Sequence, residues 1–429
     1  MGIGAALEPL VIVVVLFGGT WINRNPSSSL FQKSFRRSSS YVRTLSHDSL
    51  ESVCSSPTSN IDLLSPRPEF RLSFSPDAQW HKRQLKLFGL SFSVTSPNTT
   101  IFHDRLLSRI LRKVPFLVEC WYWALVYWIY QLGRVFTAVT LKGDTVDVAR
   151  RHALQLIKLE QQLGIFLEVP IQKYFLQHSD LMNCIDWIYS YIHIPGTVAF
   201  LVGLYYYTTT RNHINQSGNL RNMSGSTTGP LLYQARRRTL AVCNLLAFAI
   251  FTVWPCMPPR LLSDSTPEGP ESDLGRSFGF VDTVHGVNGA GSVWTQNRFC
   301  NQYAAMPSLH FGYSLLIGLT IMTIPLPSRH IRVLHTRLPL GIVCHIPSWY
   351  RLICLVLGFL YQFIILVAIV TTANHFILDA VVGTLVCGLG WWSNKILLNL
   401  LPVEDYFLWL VRTQKPDPSV ARMMHISGD

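Results

Sequence analysis

Apolar and polar positions in this chain are sorted into long blocks rather than alternating turn by turn. Seven apolar blocks stand out, at residues 5–22, 116–141, 184–207, 240–257, 309–324, 352–372 and 376–400. Each approaches the roughly 20 residues that cross the hydrocarbon core of a bilayer. All are expected to be helices, because a backbone in lipid must satisfy its own hydrogen bonds. Between the second and third blocks, residues 144–177 mix Arg150, Arg151 and Lys158 with Leu154, Leu156, Ile157, Leu159, Leu163 and Phe166. That spacing predicts an amphipathic helix lying on a membrane surface. The pattern gives an all-α, multi-pass membrane protein whose helical domain covers residues 116–402.

The ends of the chain read differently. Residues 1–22 hold the first block without a flanking Lys or Arg on its N-terminal side, which favours a signal anchor with an outside N-terminus over a cleaved signal peptide. From residue 23 to about 100 the chain turns to runs such as Pro26-Ser27-Ser28-Ser29 and Ser38-Ser39-Ser40, interleaved with Arg36, Arg37 and Arg43. Such a segment has little to bury, so residues 23–115 are expected to be a disordered cytoplasmic linker. Residues 403–429 are expected to be a cytoplasmic tail.

Composition sharpens this picture. Only 14% of residues are charged and 49% are hydrophobic, against about 25% charged in soluble domains. The net charge of +12 would suggest nucleic acid in a soluble chain, but here it follows the loops. Arg211, Arg221 and Arg236-Arg237-Arg238 fall in one loop, and Arg329, Arg332, Arg337 and Arg351 in another. Asp264, Glu268, Glu271, Asp273 and Asp282 fall in the loop between them. Basic loops stay cytoplasmic, so the acidic loop is expected outside, and no nucleic-acid partner is called for. The nine cysteines form no CxxC pair and no zinc-like spacing, so no metal site is expected. Cys256 and Cys300 flank the outward loop and are candidates for a disulfide in an oxidising compartment.

Three polar elements meet the outer side of this topology. Pro258-Pro259-Arg260 leaves the block at 240–257. Asn301-Gln302-Tyr303-Ala304-Ala305-Met306-Pro307-Ser308-Leu309-His310 enters the next block, and Asn374-His375-Phe376-Ile377-Leu378-Asp379 joins the last two. An imidazole can act as nucleophile or general acid near neutral pH. His375 and Asp379 lie one helical turn apart, so the carboxylate can orient the ring. Arg260 offers a planar fork suited to phosphate oxygens. Ser308, opening a helix after Pro307, offers a hydroxyl and free N–H groups to an anion. Each has a plainer reading: a satisfied His–Asp pair, a headgroup anchor, an ordinary helix start. His193 reads as a packed residue, and His330, His335 and His345 as incidental loop residues.

On the Pro-Ser-Leu-His core at 307–310, the His-x-x-x-Asp element at His375 and Asp379, and Pro258-Pro259-Arg260, the chain resembles the type 2 phosphatidic acid phosphatase superfamily. Within it, the likeness is to the fungal inositol phosphorylceramide synthase-like group, with support from Gly279-Phe280-Val281-Asp282-Thr283 and the stretch around Leu159-Glu160. The resemblance implies a six-helix core with His375 as nucleophile, Asp379 as its orienter, and His310 as the acid that protonates the leaving group. Arg260 and Ser308 would bind phosphate, with no cofactor. The Lys-x6-Arg-Pro element of the phosphatases is absent, Leu309 stands where they have Gly, and Ala368-Ile369 stands where they have Ser-Arg. The first two departures favour the synthase-like branch.

The expected activity is therefore transfer of a phosphoryl group between lipids through a phosphohistidine. The expected setting is an endomembrane (Golgi or endoplasmic reticulum) with the site facing the lumen. A lipid phosphate phosphatase is the alternative. Seven apolar blocks also describe a non-catalytic receptor, transporter or scaffold.

Overall fold

The computed structural model describes residues 3–26, 28, 79–87, 89–140, 145–211, 229–263, 269–284, 302–326, 334–337 and 343–416. The described chain is mostly helical. Its main elements are α1 (Ile3–Ile22), β1 (Trp80–Leu87), β2 (Leu90–Pro97), α2 (Leu106–Lys113), α3 (Phe116–Thr140), α4 (Thr145–Leu163), α5 (Glu168–Leu176), α6 (Ser179–Trp187) and α7 (His193–Tyr205). They continue with α8 (Pro230–Val253), α9 (Pro270–Ser277), α10 (Leu309–Thr323), β3 (Leu334–Arg337), β4 (Val343–Ile346), α11 (Trp349–Thr371), α12 (Ile377–Ser393) and α13 (Leu401–Leu410).

Among the described residues, three continuous helical stretches are long and apolar enough to cross a membrane: Ser179–Thr210, Trp349–Thr371 and Ile377–Leu410. Pro9–Ile22 and Leu309–Thr323 are shorter apolar helices. Val356, Leu357, Phe359, Phe363, Leu385 and Trp392 are exposed on α11 and α12. A soluble protein would bury such a face, whereas lipid solvates it, so this is an integral membrane protein. Helix starts follow local chemistry. Ser308 Oγ accepts the Phe311 N–H at 3.3 Å to open α10, and Ser348 Oγ accepts the Arg351 N–H at 3.3 Å to open α11. Pro230 occupies the first turn of α8, where a missing N–H costs nothing.

The helices meet through small residues, as membrane helices do. At the α10–α11 crossing, a Cβ on Gly358 would stand 2.6 Å from the Gly318 carbonyl oxygen. Where α12 crosses the start of α10, a Cβ on Gly383 would stand 2.4 Å from the Ser308 carbonyl oxygen. One apolar cluster joins Phe116, Leu204, Tyr233, Leu240, Leu316 and Val386. A second gathers Ala153, Ile157, Met257, Leu262, Ala373 and Phe376 at one end of the bundle. That end carries the candidate site.

Several boundaries differ from the sequence reading. The stretch expected as disordered linker contains a β-hairpin, α2 and a short 3-10 turn at Thr99–Phe102. In the hairpin, β1 and β2 pair antiparallel with Trp80 opposite Pro97 and Leu87 opposite Leu90. It docks on α13 through Asp405, whose carboxylate accepts from Arg83 Nε at 2.5 Å, Arg83 NH2 at 2.9 Å and Ser96 Oγ at 2.6 Å. The Ser/Arg runs from residue 29 to 78 lie outside the described residues. The tail expected from residue 403 starts inside α13, on which the hairpin packs. Residues 144–177 form two helices rather than one, because Gly164 turns with φ 70° between them. α8 begins well before residue 240 and takes in Arg236, Arg237 and Arg238. Two of these charges have partners in the helical bundle: Arg237 pairs with Glu119 at 2.6 Å and Arg236 lies 3.3 Å over the Trp391 ring. Cys256 is a free, buried thiol, and Cys300 lies outside the described residues.

Candidate active site

The turn between α11 and α12 presents the central histidine. α11 ends where Asn374 N–H and His375 N–H both reach back to the Ile369 carbonyl at 3.2 Å. Ala373 takes a left-handed backbone, φ 51°, a conformation that costs a side-chain-bearing residue about 1–2 kcal/mol. It is held because its N–H bonds to the Val370 carbonyl at 3.0 Å and its carbonyl accepts the Arg260 N–H at 2.9 Å. His375 is thereby fixed at the mouth of α12, with 6% of its surface exposed.

The tautomer of His375 follows from its partners. Its Nδ1 lies 2.7 Å from the Ala305 carbonyl oxygen, which can only accept. Nδ1 therefore carries the proton, and Nε2 keeps its lone pair. That Nε2 faces His310 Nδ1 at 3.4 Å. Asp379, wholly buried, stands 3.5 Å from His375 Nδ1 while its Oδ2 accepts the Phe376 N–H at 2.8 Å. The sequence reading gave Asp379 the orienting role. In the structure the shorter bond to the ring comes from Ala305, and Asp379 supplies a nearby carboxyl and caps the first turn of α12.

His310 sits on the first turn of α10. Its ring stacks on Tyr189 with centroids 4.9 Å apart and lies 5.1 Å from the His193 ring. His193 in turn meets the Tyr361 hydroxyl at 3.4 Å. His193 thus belongs to the site's wall, which its isolated position in an apolar block did not reveal. Ser308 is also brought here, fully buried: its N–H donates to the Asp379 carbonyl at 3.0 Å and its Oγ caps α10. This ties the helix bearing His310 to the helix bearing Asp379.

Arg260 lies in a short 3-10 turn after α8, with 9% of its side chain exposed. Its Nε donates to Asn374 Oδ1 at 2.9 Å, next in sequence to His375, and its NH1 donates to Asp282 Oδ2 at 3.0 Å. The fork is therefore aimed by an amide and an acid, and its charge is partly balanced before any anion arrives. Sequence reading named neither Asn374 nor Asp282 as a partner of Arg260. The loop that carries Asp282 is pinned by Gln172, which accepts the Val281 N–H at 3.0 Å and donates to the Val281 and Thr371 carbonyls at 2.8 and 3.0 Å. Thr283 Oγ1 adds a bond to Asp186 at 2.8 Å.

Two further acids reach the site from the amphipathic segment. Glu160 Oε1 accepts the Leu378 N–H at 2.8 Å, and Glu168 Oε1 accepts the Ile377 N–H at 2.8 Å. Both residues are wholly buried. Burial, then the hydrogen bond and charge of Glu168, push the Glu160 pKa up to about 9; the Leu378 N–H pulls it back and the Asp379 charge adds to the rise. The five residues singled out from sequence, Arg260, Ser308, His310, His375 and Asp379, thus lie in one connected cluster. His335 and His345 sit opposite each other in the β3–β4 hairpin, on a loop that joins the other ends of α10 and α11. His330 lies outside the described residues. No group of His, Cys, Asp and Glu among the described residues is arranged to hold a metal ion.

Residues 227–349 match the family model of the PAP2 superfamily. No curated protein and no solved structure matches the chain. The matched span includes Arg260, Ser308 and His310 and stops before His375 and Asp379. It supports an enzyme family of lipid phosphatase or phosphotransferase type.

Proposed function

We propose that this protein transfers a phosphoryl group between lipids through a phosphohistidine on His375, in the manner of inositol phosphorylceramide synthase-like enzymes. The observation that carries the reading is the His375–His310 pair. One ring has its proton anchored on a backbone carbonyl and its bare nitrogen turned toward the other. In the proposed reaction His375 Nε2 attacks phosphorus, forming a P–N bond as the P–O bond to the leaving group breaks. His310, protonated once the anionic phosphate stands beside it, gives that proton to the departing oxygen. It then takes a proton from the acceptor alcohol, whose oxygen displaces His375. Asp379 offsets the positive charge on the His375 ring, and Arg260 holds the phosphoryl oxygens. The two nitrogens stand too close for a phosphoryl group to fit between them, so His310 must turn aside as substrate enters.

Support for transfer to an alcohol over transfer to water comes from the burial of His375 and Asp379 and from Leu309 and the missing Lys-x6-Arg-Pro element. The six-helix core fits α3, the stretch from α6 to α7, α8, α10, α11 and α12. The charge of the loops supports a site on the non-cytoplasmic side, which in the expected endomembrane is the lumen. The test is to incubate the purified protein with a radiolabelled phospholipid donor and a lipid alcohol. Acid-labile label on the enzyme that chases into the alcohol is the expected result. Product formed with no labelled enzyme at any time overturns the covalent route.

A further inference from the structure

Glu160 and Glu168 have no place in the two-histidine chemistry, yet they hold two consecutive backbone N–H groups of the turn that bears it. The first N–H groups of a helix lack partners within it, and that end carries partial positive charge. In α12 all three N–H groups from Phe376 to Leu378 are taken by carboxyls: Asp379, Glu168 and Glu160 in turn. One acid would serve as a cap. Here two more are brought in from α4 and α5, far away in sequence and buried completely. The remaining oxygen of each glutamate is buried with no hydrogen-bond donor among the described residues reaching it, and the Glu168 carboxyl lies within hydrogen-bonding reach of Glu160. Glu160 is faced by Glu168 from α5, by Asp379 with His375 beyond it from the entry to α12, and by the Cys256 thiol from the loop after α8. None of these is a fixed cation. Burial and the facing carboxyl favour a proton kept on Glu160, and a proton held there can be shared with the oxygen of Glu168.

We propose that Glu160 and Glu168 form a proton-sharing clamp that positions His375 and Asp379 for phosphoryl transfer. This rests on the phosphotransfer reading of the histidine pair. The two N–H groups belong to residues on the same turn as Asp379, and His375 directly precedes that turn. Loosening it moves the ring relative to the Ala305 carbonyl and His310. The clamp is fed by α4 and α5, so the amphipathic segment acts on chemistry it does not touch. In alkali the shared proton passes to hydroxide, two carboxylates repel, and the clamp opens. Because the folded pKa of Glu160 is raised, from 4.5 to about 9, the stabilisation it gives is largest in acid. It falls as pH rises through that window.

The test uses the full-length protein in detergent with 4-nitrophenyl phosphate and a nitrophenyl phosphodiester as donors. Glu160→Leu strips the acceptor from Leu378 and is expected to lower kcat by about 10²-fold with little change in KM. Glu160→Gln keeps an acceptor and supplies its own N–H in place of the shared proton. It is expected to recover most of that loss and to extend activity into alkaline pH. Amide hydrogen exchange at Ile377 and Leu378, corrected for the intrinsic effect of pH, gives a readout that needs no turnover. Protection should fall between pH 7 and 10 in the wild type and hold steady in Glu160→Gln. Wild-type kcat in a folded Glu160→Leu protein, or exchange with the same pH response in both proteins, overturns the clamp. A wild-type protein that never takes up label overturns the phosphotransfer reading itself, whatever the exchange shows.

Discussion

Replacing Gly383 with alanine tests whether the crossing of α12 over the start of α10 sets the histidine geometry. The new Cβ would lie 2.4 Å from the Ser308 carbonyl oxygen, 3.3 Å from its carbon and 3.5 Å from its nitrogen. The obstacle is backbone, so no side chain can swing away. Restoring ordinary van der Waals separation needs a shift of about 1 Å. That shift stretches the 3.0 Å bond from the Ser308 N–H to the Asp379 carbonyl, the tie between the helix of His310 and the helix of Asp379. Overpacking of this kind costs about 1–3 kcal/mol of stability, and a misplacement of about 1 Å at reacting groups costs roughly 10²-fold in rate. The assay is thermal unfolding in detergent alongside single-turnover transfer from a nitrophenyl phosphodiester. Gly388 on the same helix has nothing within 4 Å of its would-be Cβ. Gly388→Ala should therefore leave the rate alone and stabilise by about 0.5–1 kcal/mol. A Gly383→Ala protein that melts and turns over like the wild type would refute the idea that this crossing fixes the site.

Three other predictions follow from single contacts. Arg260→Lys keeps the charge but loses the fork shared with Asn374 and Asp282; kcat/KM should fall roughly ten- to hundredfold, about 1.5–3 kcal/mol, and an unchanged value removes Arg260 from the phosphate site. Asp405→Ala removes the buried acid that accepts from Arg83 and Ser96; because Arg83 itself keeps contact with water, the cost should be about 1–3 kcal/mol. Proteolysis should then cut the hairpin sooner while transfer in the surviving protein continues, and unchanged protease resistance would show that the hairpin is held by something else. Cysteines introduced at the exposed positions Asp273 and Trp349 should be labelled by impermeant reagents from opposite sides of a sealed vesicle; labelling from one side contradicts the topology.

The helices around the site were legible because hydropathy is what a bilayer selects. The block at 309–324 and α10 share a start at Leu309, since the Pro-Ser pair marks the N-cap and apolar residues follow at once. α8 was placed late because its first turns contain three arginines, whose partners Glu119 and Trp391 lie far off in sequence. The β1–β2 hairpin was hidden by its Ser/Arg-rich surroundings. Yet Leu90-Ser91-Phe92-Ser93-Val94-Thr95 alternates strictly, which is the period of a strand. In the site, motif residues could be named because their chemistry is local to three short elements. Their supports could not. Ala305 holds the His375 proton through a backbone carbonyl, which any residue carries, so no side chain announces the role. Glu160 had a faint signal: it continues the buried face of Ala149, Ala153, Leu156 and Ile157, where an unpaired acid would be costly without a donor to receive it.

The central claim is that His375 accepts the phosphoryl group while His310 handles the proton, and a nucleophile and an acid fail differently. The most direct measurement maps the covalent label by mass spectrometry after exposure to a nitrophenyl phosphate donor, whose leaving group needs no proton. Wild type, His375→Ala, His310→Ala and Asp379→Asn are compared in one detergent. Label is expected on the peptide containing His375 in the wild type and in His310→Ala, more slowly in Asp379→Asn, and not at all in His375→Ala. With a lipid donor whose leaving group must be protonated, His310→Ala should slow by about 10²–10⁴-fold. Label that persists in His375→Ala, or that maps to another residue in the wild type, contradicts the account.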